Sequence, residues 1–524
     1  MKIFDTTLRE GLQTPGVGAS LEERVQIAKL LWDFYQGLAI MEIGMPANEV
    51  DYPVLQAIMK QVPGPQYAFL LRCNDLDIDR ARDVFKEYPD NMAHLFIGTS
   101  EQHRKVRFNG NKSISDYCGL IKEKVELVAA DPHIKQVMFS PEDALRTFWE
   151  GHDNGNGEVL SRFIQAAVDG YTSGNAKVNR LHKMIFNLPD TVGIGTVQEN
   201  EDMVRYVKQR FPDVELSVHF HDDLDMATAS TVNTVIKRLV DYPQVAFAGS
   251  GERNGIGRAE PTIVALNERN VINLADAQAY SLTKTSRTIA HLLGMPLDTR
   301  YPVTGIDVNV SASGIHAQLA RKDHDTYHFM GERYGNPVRI LFGTTSGSDT
   351  AKWFLEKNGY PVHKEKIQAY TAAMKYYANS IKDYLTETEM AVFAEQIINQ
   401  RTTNGLRIAD AIPMISLQQE SCPITIIGEL DGTHFTTQGS GVGPVDAVFK
   451  TLSKYLGYDR AALATFKPVV KGMGSEAKLQ VMSEISYQEK SYWGRGMDSS
   501  TTKAELKSII QAFEHMHFLH PKTL

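Results

Sequence analysis

Through the first half of the chain, short apolar runs of strand length alternate with longer stretches in which apolar residues recur every three or four positions. The runs are KIFDTT, AIMEIGMP, QYAFLLRC, AHLFIGTS, IKQVMFSPED, KMIFNLPDT, LSVHFHDD and VAFAGSGE. Between the first two, Leu21, Val25, Ala28 and Leu31 fall on one face at helical spacing. Ser20 and Glu23 form a capping box at the start of that helix, and Gly37 supplies its stop. Eight strands separated by helices predict an α/β fold with a parallel (β/α)8 barrel over residues 1–275. The alternative, an open doubly wound sheet, lacks a GxGxxG turn after its first strand.

Residues 276–415 read as a helical connector. KEKIQAYTAAMKYYANSIKDYL and ETEMAVFAEQIIN have helical periodicity, interrupted by SASGIHAQ and LFGTTSGSDTAK. Over residues 416–524 the texture changes to alternating strands. CPITIIGELDG and THFTTQGSG precede the helix GPVDAVFKTLSKYL, and TFKPVVKG, AKLQVMSEISY and KSYWGRGMD precede TKAELKSIIQAFEHM. Strands followed by a helix, written twice, predict a separate α+β module with a regulatory or dimerising role.

Composition narrows the partners. With 42% apolar and 23% charged residues the chain is an ordinary globular protein, and its formal charge of −8 argues against nucleic acid as a partner. No run approaches the length of a membrane span, and Met1 leads directly into KIFDTTL without a charged-then-apolar leader. Cys73, Cys118 and Cys422 are scattered without CxxC spacing, which fits a reducing cytoplasm better than a disulfide framework.

SVHFHDD puts His219 and His221 two apart on a strand, so both imidazoles project to one face. The pair lies at the C-terminal end of the seventh strand, the rim where barrel enzymes carry their chemistry. Glu10, at the end of the first strand, adds a carboxylate to the same part of the rim. Two imidazoles and a carboxylate make a facial site with open positions, suited to a divalent metal acting as a Lewis acid. An HxH pair elsewhere is more often two ordinary polar strand residues; the rim position favours ligation. Arg9 is either half of a surface ion pair or a guanidinium shaped for a carboxylate or a developing oxyanion. Ser140 and Glu142 in FSPED, and Asn187 and Thr191 in FNLPDT, each suit a turn or cap, but together they line the rim with hydroxyl, acid and amide groups. His94, at the start of its strand's apolar run, is open between a satisfied core histidine and a ligand-facing one. GSGERNGIG is either a flexible closing loop or a backbone able to approach an anion.

Taken in order, DTTLRE, GTSEQH, FSPEDALRT, NLPDTVG, SVHFHDDL, GSGERNG, SGIHA and GSGVGPVDAVF resemble the isopropylmalate synthase and homocitrate synthase family along essentially the whole chain. The resemblance implies a Claisen-type condensation of acetyl-CoA with a 2-oxo acid, followed by thioester hydrolysis. It implies a divalent metal (Mn, Mg or Zn) on Glu10, His219 and His221, with Arg9 stabilising charge on the keto oxygen. Ser140, Thr191, His94 and Asn187 would hold the 2-oxo acid, and His316 with Glu142 would take the methyl proton. His316 would reach a neighbouring subunit's barrel, implying a homodimer, while Gly251, Glu252, Arg253 and Asn254 would form the loop beside CoA. GSGVGPVDAVF resembles a leucine-sensing domain, which implies an amino-acid effector.

The departures from that pattern divide the substrate reading. The family's LRDG is LREG here, Ile256 replaces a metal-ligand Asn, Ser311 replaces the first His of HxSGIH, and HNDLG reads HDDLD. Glu10 and GERNGI are what homocitrate synthases show, and Arg104 stands where they place an arginine that reads a distal carboxylate. The C-terminal module favours 2-oxoisovalerate as substrate, while 2-oxoglutarate and a bulkier or aromatic 2-oxo acid stay open. A metal-dependent acyl-CoA lyase would share the HxH pair but would not need the connector or the GPVDA module. A non-catalytic amino-acid sensor would accommodate Ile256 and Ser311, but not the retained Arg9, Glu10, His219, His221 and His316.

Overall fold

Side chains alternate along a strand, so the inward row of each barrel strand is read at every second residue. The computed structural model describes all residues except 108–111, 151–156, 296, 312–315, 317–318, 320–330, 402–404, 417, 419, 472–476 and 522–524. Eight parallel strands close in sequence order: β1 (Ile3–Asp5), β2 (Ala39–Gly44), β3 (Gln66–Arg72), β4 (Met92–Gly98), β5 (Gln136–Glu142), β6 (Ile185–Asp190), β7 (Glu215–Phe220) and β8 (Tyr242–Val245). β8 pairs back to β1 through Phe4–Gln244 and Asp5–Val245, so the barrel has no free edge.

Phe4, Ile40, Ala68, Met92, Met138 and Ile185 form a buried apolar plug within the barrel. Two residues further along their strands, the same rows carry Glu42, His94, Ser140 and Asn187, all buried. One step of the pleat therefore turns a packed floor into a polar chamber at the strands' C-terminal ends. The outward rows, among them Phe69, Leu95, Phe139, Phe186 and Val218, pack beneath the surrounding helices. The first of those helices spans Leu21–Tyr35 with the expected Ser20–Glu23 capping box, and Gln36 takes the left-handed position ahead of Gly37.

The eighth strand differs from the sequence reading. It runs Tyr242–Val245, ahead of most of VAFAGSGE, and Phe247–Gly249 is a single tight turn with Ala248 at φ 59°. Side chains capture the amides that a longer strand would have used: Phe247 N–H donates to Thr7 Oγ1 and Ala248 N–H to Glu260 Oε1, both at 2.9 Å.

The chain divides into two compact units, Met1–Val308 with Met330–Pro337, and Asn309–Phe329 with Val338–Leu524. The second unit contains the short pair β9 (Val310–Ser311) and β10 (Arg339–Ile340). The helices Ser348–Lys357, Lys364–Ile381 and Glu387–Ile397 share a core around Phe354, Tyr370 and Met374. Two three-stranded antiparallel sheets follow: β11 (Leu406–Pro413), β12 (Cys422–Leu430) and β13 (Thr433–Gly441), then β14 (Ala462–Lys471), β15 (Lys478–Tyr487) and β16 (Lys490–Asp498). The sequence reading has no strand before Cys422, so β11 is an addition. Its alternation is interrupted by a register shift between Ile408 and Asp410, which hides the period-two signal. Each sheet is followed by a helix, Pro444–Tyr455 or Thr501–Leu519, and both helices contribute to a core that includes Ile424, Val448, Ile485 and Phe513. Among the described residues no helix is long and apolar enough to cross a membrane, and all three cysteines are free.

β16 lies so close to the helix Thr501–Leu519 that a Cβ on Gly496 would sit 1.9 Å from the Ala504 carbonyl oxygen. Gly496→Ala is expected to destabilise this unit by about 1–3 kcal/mol. Hydrogen–deuterium exchange should show faster exchange in β15, β16 and Thr501–Leu519 and unchanged protection in β1–β8; unchanged exchange in β16 would contradict the packing.

Candidate functional site

The polar chamber is assembled from strand ends. His219 ends the inward row of β7, His221 lies just beyond that strand, and Glu10 follows β1 in the turn before Gly11–Gln13. All three are buried, and one donor atom from each lies within 4.8 Å of the others, the group of metal-ligand type found among the described residues. His219 Nδ1 faces Gln244 Oε1 at 2.9 Å, while the Gln244 amide nitrogen points at Ser217 Oγ at 3.3 Å and Met138 Sδ at 3.7 Å. That orientation puts the His219 proton on Nδ1 and leaves Nε2 as a lone pair. Nε2 of His221 is 3.3 Å from it, and His221 Nδ1 is buried without a hydrogen-bond partner.

Burial drives the His219 pKa down to about 3, and neighbouring His221 adds to the effect; burial also lowers His221. Both imidazoles are therefore neutral donors at neutral pH, the form that binds metal. Burial pushes the Glu10 carboxyl up, but Arg9, the largest opposing influence, and the Glu252 N–H favour the ionised form, and the carboxyl stays below the usual carboxylate range. Converging neutral nitrogens and an ionised carboxylate fit a divalent cation, whose ligands stand about 3 Å apart when adjacent.

Arg9 lies beside this group. It pairs with Glu10 through NH1 and donates from Nε to Glu42 Oε2 at 2.6 Å, while its NH2 makes no hydrogen bond among the described residues. Glu42, in β2, also accepts from Thr6 Oγ1 at 2.8 Å and faces His94 Nδ1 at 2.6 Å. His94 Nε2 is 2.6 Å from Ser140 Oγ, which accepts from Asn187 Nδ2 at 2.7 Å. His94 is thus satisfied and inside the chamber at once, resolving the two readings of its position into one. The structure brings Arg9, Glu10, His94, Ser140, Asn187, His219 and His221 together.

Other expected residues stand further out. Glu142, half-buried at the end of β5, has His103 Nδ1 at 3.7 Å and Arg107 NH1 at 4.0 Å, and burial raises its pKa against these cations. Thr191 works as a loop brace: its Oγ1 accepts from Asp143 N–H at 2.9 Å and its carbonyl from Arg253 at 2.6 Å. Arg104 is engaged by Glu150 at 2.8 Å and by the Thr99 carbonyl, and it packs over Phe163. His316 belongs to the second unit, where it is exposed. Ser311 is buried in β9, and Ser313, Gly314 and Ile315 of its motif lie outside the described residues.

The glycine-rich loop is folded down onto Glu10 and His221. Gly251 N–H donates to Thr14 Oγ1 at 2.7 Å and Glu252 N–H to Glu10 Oε1 at 3.1 Å. Arg253 pairs with Asp223 at 2.8 Å, Asn254 donates to the Asp222 carbonyl at 2.7 Å, and buried Ile256 bridges its backbone to His221. Gly255, at φ 84°, lies where a Cβ would be 1.8 Å from the Gly249 carbonyl oxygen, so only glycine closes this loop. Sequence reasoning missed Glu42, Gln244, His103 and Arg107. The first two carried a usable signal, a lone polar residue on the inward row of an apolar strand.

The HMGL-like family profile matches residues 1–289, more than half of the chain. The chain belongs to the HMGL-like family. A second profile, the LeuA allosteric (dimerisation) domain, matches residues 384–517 of this HMGL-like protein. Over 98% of its length it is 29% identical to the 2-isopropylmalate synthase of Pyrococcus furiosus, covering 99% of that protein. It is 29% identical to the 2-isopropylmalate synthase of Pyrococcus abyssi (96% and 99% covered) and 28% identical to that of Syntrophus aciditrophicus (99% and 96% covered).

His219→Ala is expected to abolish Mn2+ binding measured by titration calorimetry. Gln244→Leu, which leaves the ligands in place but frees the His219 ring, should weaken it about 10–100-fold. Wild-type affinity in Gln244→Leu would show that Gln244 does not orient His219.

Proposed function

We propose that this chain condenses the methyl carbon of acetyl-CoA with the keto carbon of a 2-oxo acid and hydrolyses the thioester, with 2-oxoisovalerate as the preferred acid. The reading is supported by near full-length similarity to proteins named 2-isopropylmalate synthase. The observation that carries it is the convergence of Glu10, His219 and His221 beside an arginine whose NH2 is unspent. Those three residues would hold the divalent ion (Mn, Mg or Zn), which supplies Lewis-acid polarisation of a keto carbonyl.

The protein's own groups do the remaining work. Arg9 NH2 donates to the keto oxygen as it gains charge, in a chamber where such a donor is worth more than in water. Asn187 and Thr191 hold the acid, with Ser140 and His94 fixing the Asn187 amide behind it. Glu142, whose carboxyl is made more basic by burial, works with His316 from a neighbouring subunit to remove a proton from the acetyl methyl. The resulting carbon nucleophile bonds to the keto carbon, and the keto oxygen becomes a hydroxyl by taking a proton. Water then adds to the thioester carbonyl, the C–S bond breaks, and CoA leaves as its thiol. Gly251, Glu252, Arg253 and Asn254 form the wall on the CoA side.

A homodimer is the working unit in this reading, with an amino-acid effector acting through the residues that match the LeuA allosteric domain. The chain works in the cytoplasm. The alternative of a dicarboxylic acid read by Arg104 loses support, because the Arg104 guanidinium already holds Glu150 and the Thr99 carbonyl.

Thiol release from acetyl-CoA by Mn2+-loaded protein should be fastest with 2-oxoisovalerate among pyruvate, 2-oxoglutarate, oxaloacetate and phenylpyruvate. A preference for 2-oxoglutarate would overturn the substrate assignment, and no thiol release with any acid would overturn the reaction itself.

A further inference from the structure

Glu42 lies in β2, one pleat beyond Ile40 on the inward row, with none of its surface exposed. A carboxylate there carries a desolvation cost that a buried ion pair often fails to recover, so stability alone is a weak reason for it. Three donors converge on it from two chain segments, the turn after β1 and the strand β4: Arg9 Nε and Thr6 Oγ1 on Oε2, and His94 Nδ1 on Oε1. Burial pushes its carboxyl up, but Arg9 and the hydrogen bonds from His94 and Thr6 outweigh this and hold it far below the usual carboxylate range.

An ionised carboxylate only accepts, so Nδ1 of His94 must carry a proton. With the imidazole neutral, Nε2 is a lone pair and the Ser140 hydroxyl, 2.6 Å away, donates to it. The contact between Ser140 Oγ and Asn187 is then a donation from Nδ2, which leaves Asn187 Oδ1 buried and unpartnered. On its other side Glu42 holds Arg9 by Nε, so that NH1 meets Glu10 and NH2 stays free. One side chain therefore fixes the direction of a guanidinium next to a metal ligand and the proton arrangement of a His–Ser–Asn row on β4, β5 and β6.

We propose that Glu42 is a positioning residue that aims Arg9 at the bound 2-oxo acid and, through the proton order of His94 and Ser140, fixes the way the Asn187 amide faces, without itself touching the acid. The identity of that ligand rests on the function proposed above; the proton arrangement does not. Glu42→Gln keeps the shape, but its NH2 must face either Arg9 Nε or His94 Nδ1, both of them donors. Glu42→Asp keeps the charge.

The test pairs steady-state kinetics with side-chain 15N NMR of His94, assigned with His94→Gln, on the full-length Mg2+-loaded protein. Glu42→Gln should lower kcat for thiol release about 100-fold, with a much smaller change in KM for the 2-oxo acid and unchanged Mn2+ affinity. Glu42→Asp should recover part of kcat. In the wild type, His94 should be the neutral Nδ1–H tautomer, and Glu42→Gln should lose that assignment. An Nε2–H tautomer or an imidazolium in the wild type overturns the proposal. So does an unchanged kcat in Glu42→Gln, or a parallel loss of kcat, Mn2+ affinity and Tm, which would mark a merely structural role. If no 2-oxo acid releases thiol, the wild-type tautomer alone decides, and it also decides if Glu42→Gln fails to fold.

Discussion

One guanidinium shared between two buried carboxylates sets the terms for the rest of the chamber. Arg9 bridges Glu10 and Glu42, so two acids stand against one permanent cation in a volume closed off from water below by Phe4, Ile40, Met92 and Met138. The histidines at the rim do not correct the imbalance, because burial keeps them neutral. The chamber thus carries an excess negative charge beside two imidazole lone pairs, and a divalent cation satisfies both. Ligand set and charge deficit point to the same occupant for independent reasons.

The barrel makes this arrangement affordable through its pleat. Four strands set a residue of the apolar plug one pleat below a residue of the chamber: Ile40 then Glu42, Met92 then His94, Met138 then Ser140, and Ile185 then Asn187. A slip of one residue in any strand would exchange that row for the outward row of Phe, Leu and Val beneath the helices. Register and chemistry are therefore specified together. The loop after β8 completes the arrangement by laying its backbone amides on Glu10 and its neighbours, which its glycines permit.

Much of this was legible in the sequence. The strand-helix alternation predicted the barrel, and the HxH pair with the acid after β1 pointed to three side chains that the structure brings within 4.8 Å of one another. What escaped was side-chain partnership across strands far apart in sequence. Glu42 sits in an unbroken apolar run and finds Arg9 and His94 at separations of 33 and 52 residues. Gln244 stands out as a polar residue on an inward row, but its partner, His219, shows only once the register of β7 and β8 is known. The end of β8 was misjudged because VAFAG is as apolar as a strand, yet Thr7 and Glu260 capture its amides. Arg104 was read from motif position alone, and Glu150, its actual partner, lies 46 residues away.

The second unit repeats one local solution, a three-stranded antiparallel sheet covered by a helix, and its strand–helix contacts are close enough to require glycine at β16. The central claim concerns the first unit: an open metal position on Glu10, His219 and His221 that accepts a 2-oxo acid. Pulsed EPR of the Mn2+-loaded protein tests it most directly. The account predicts couplings from two imidazole nitrogens, and couplings from both C1 and C2 when 13C-labelled 2-oxoisovalerate is added. A spectrum without nitrogen coupling, or one in which the labelled acid leaves the ion fully hydrated, would contradict it.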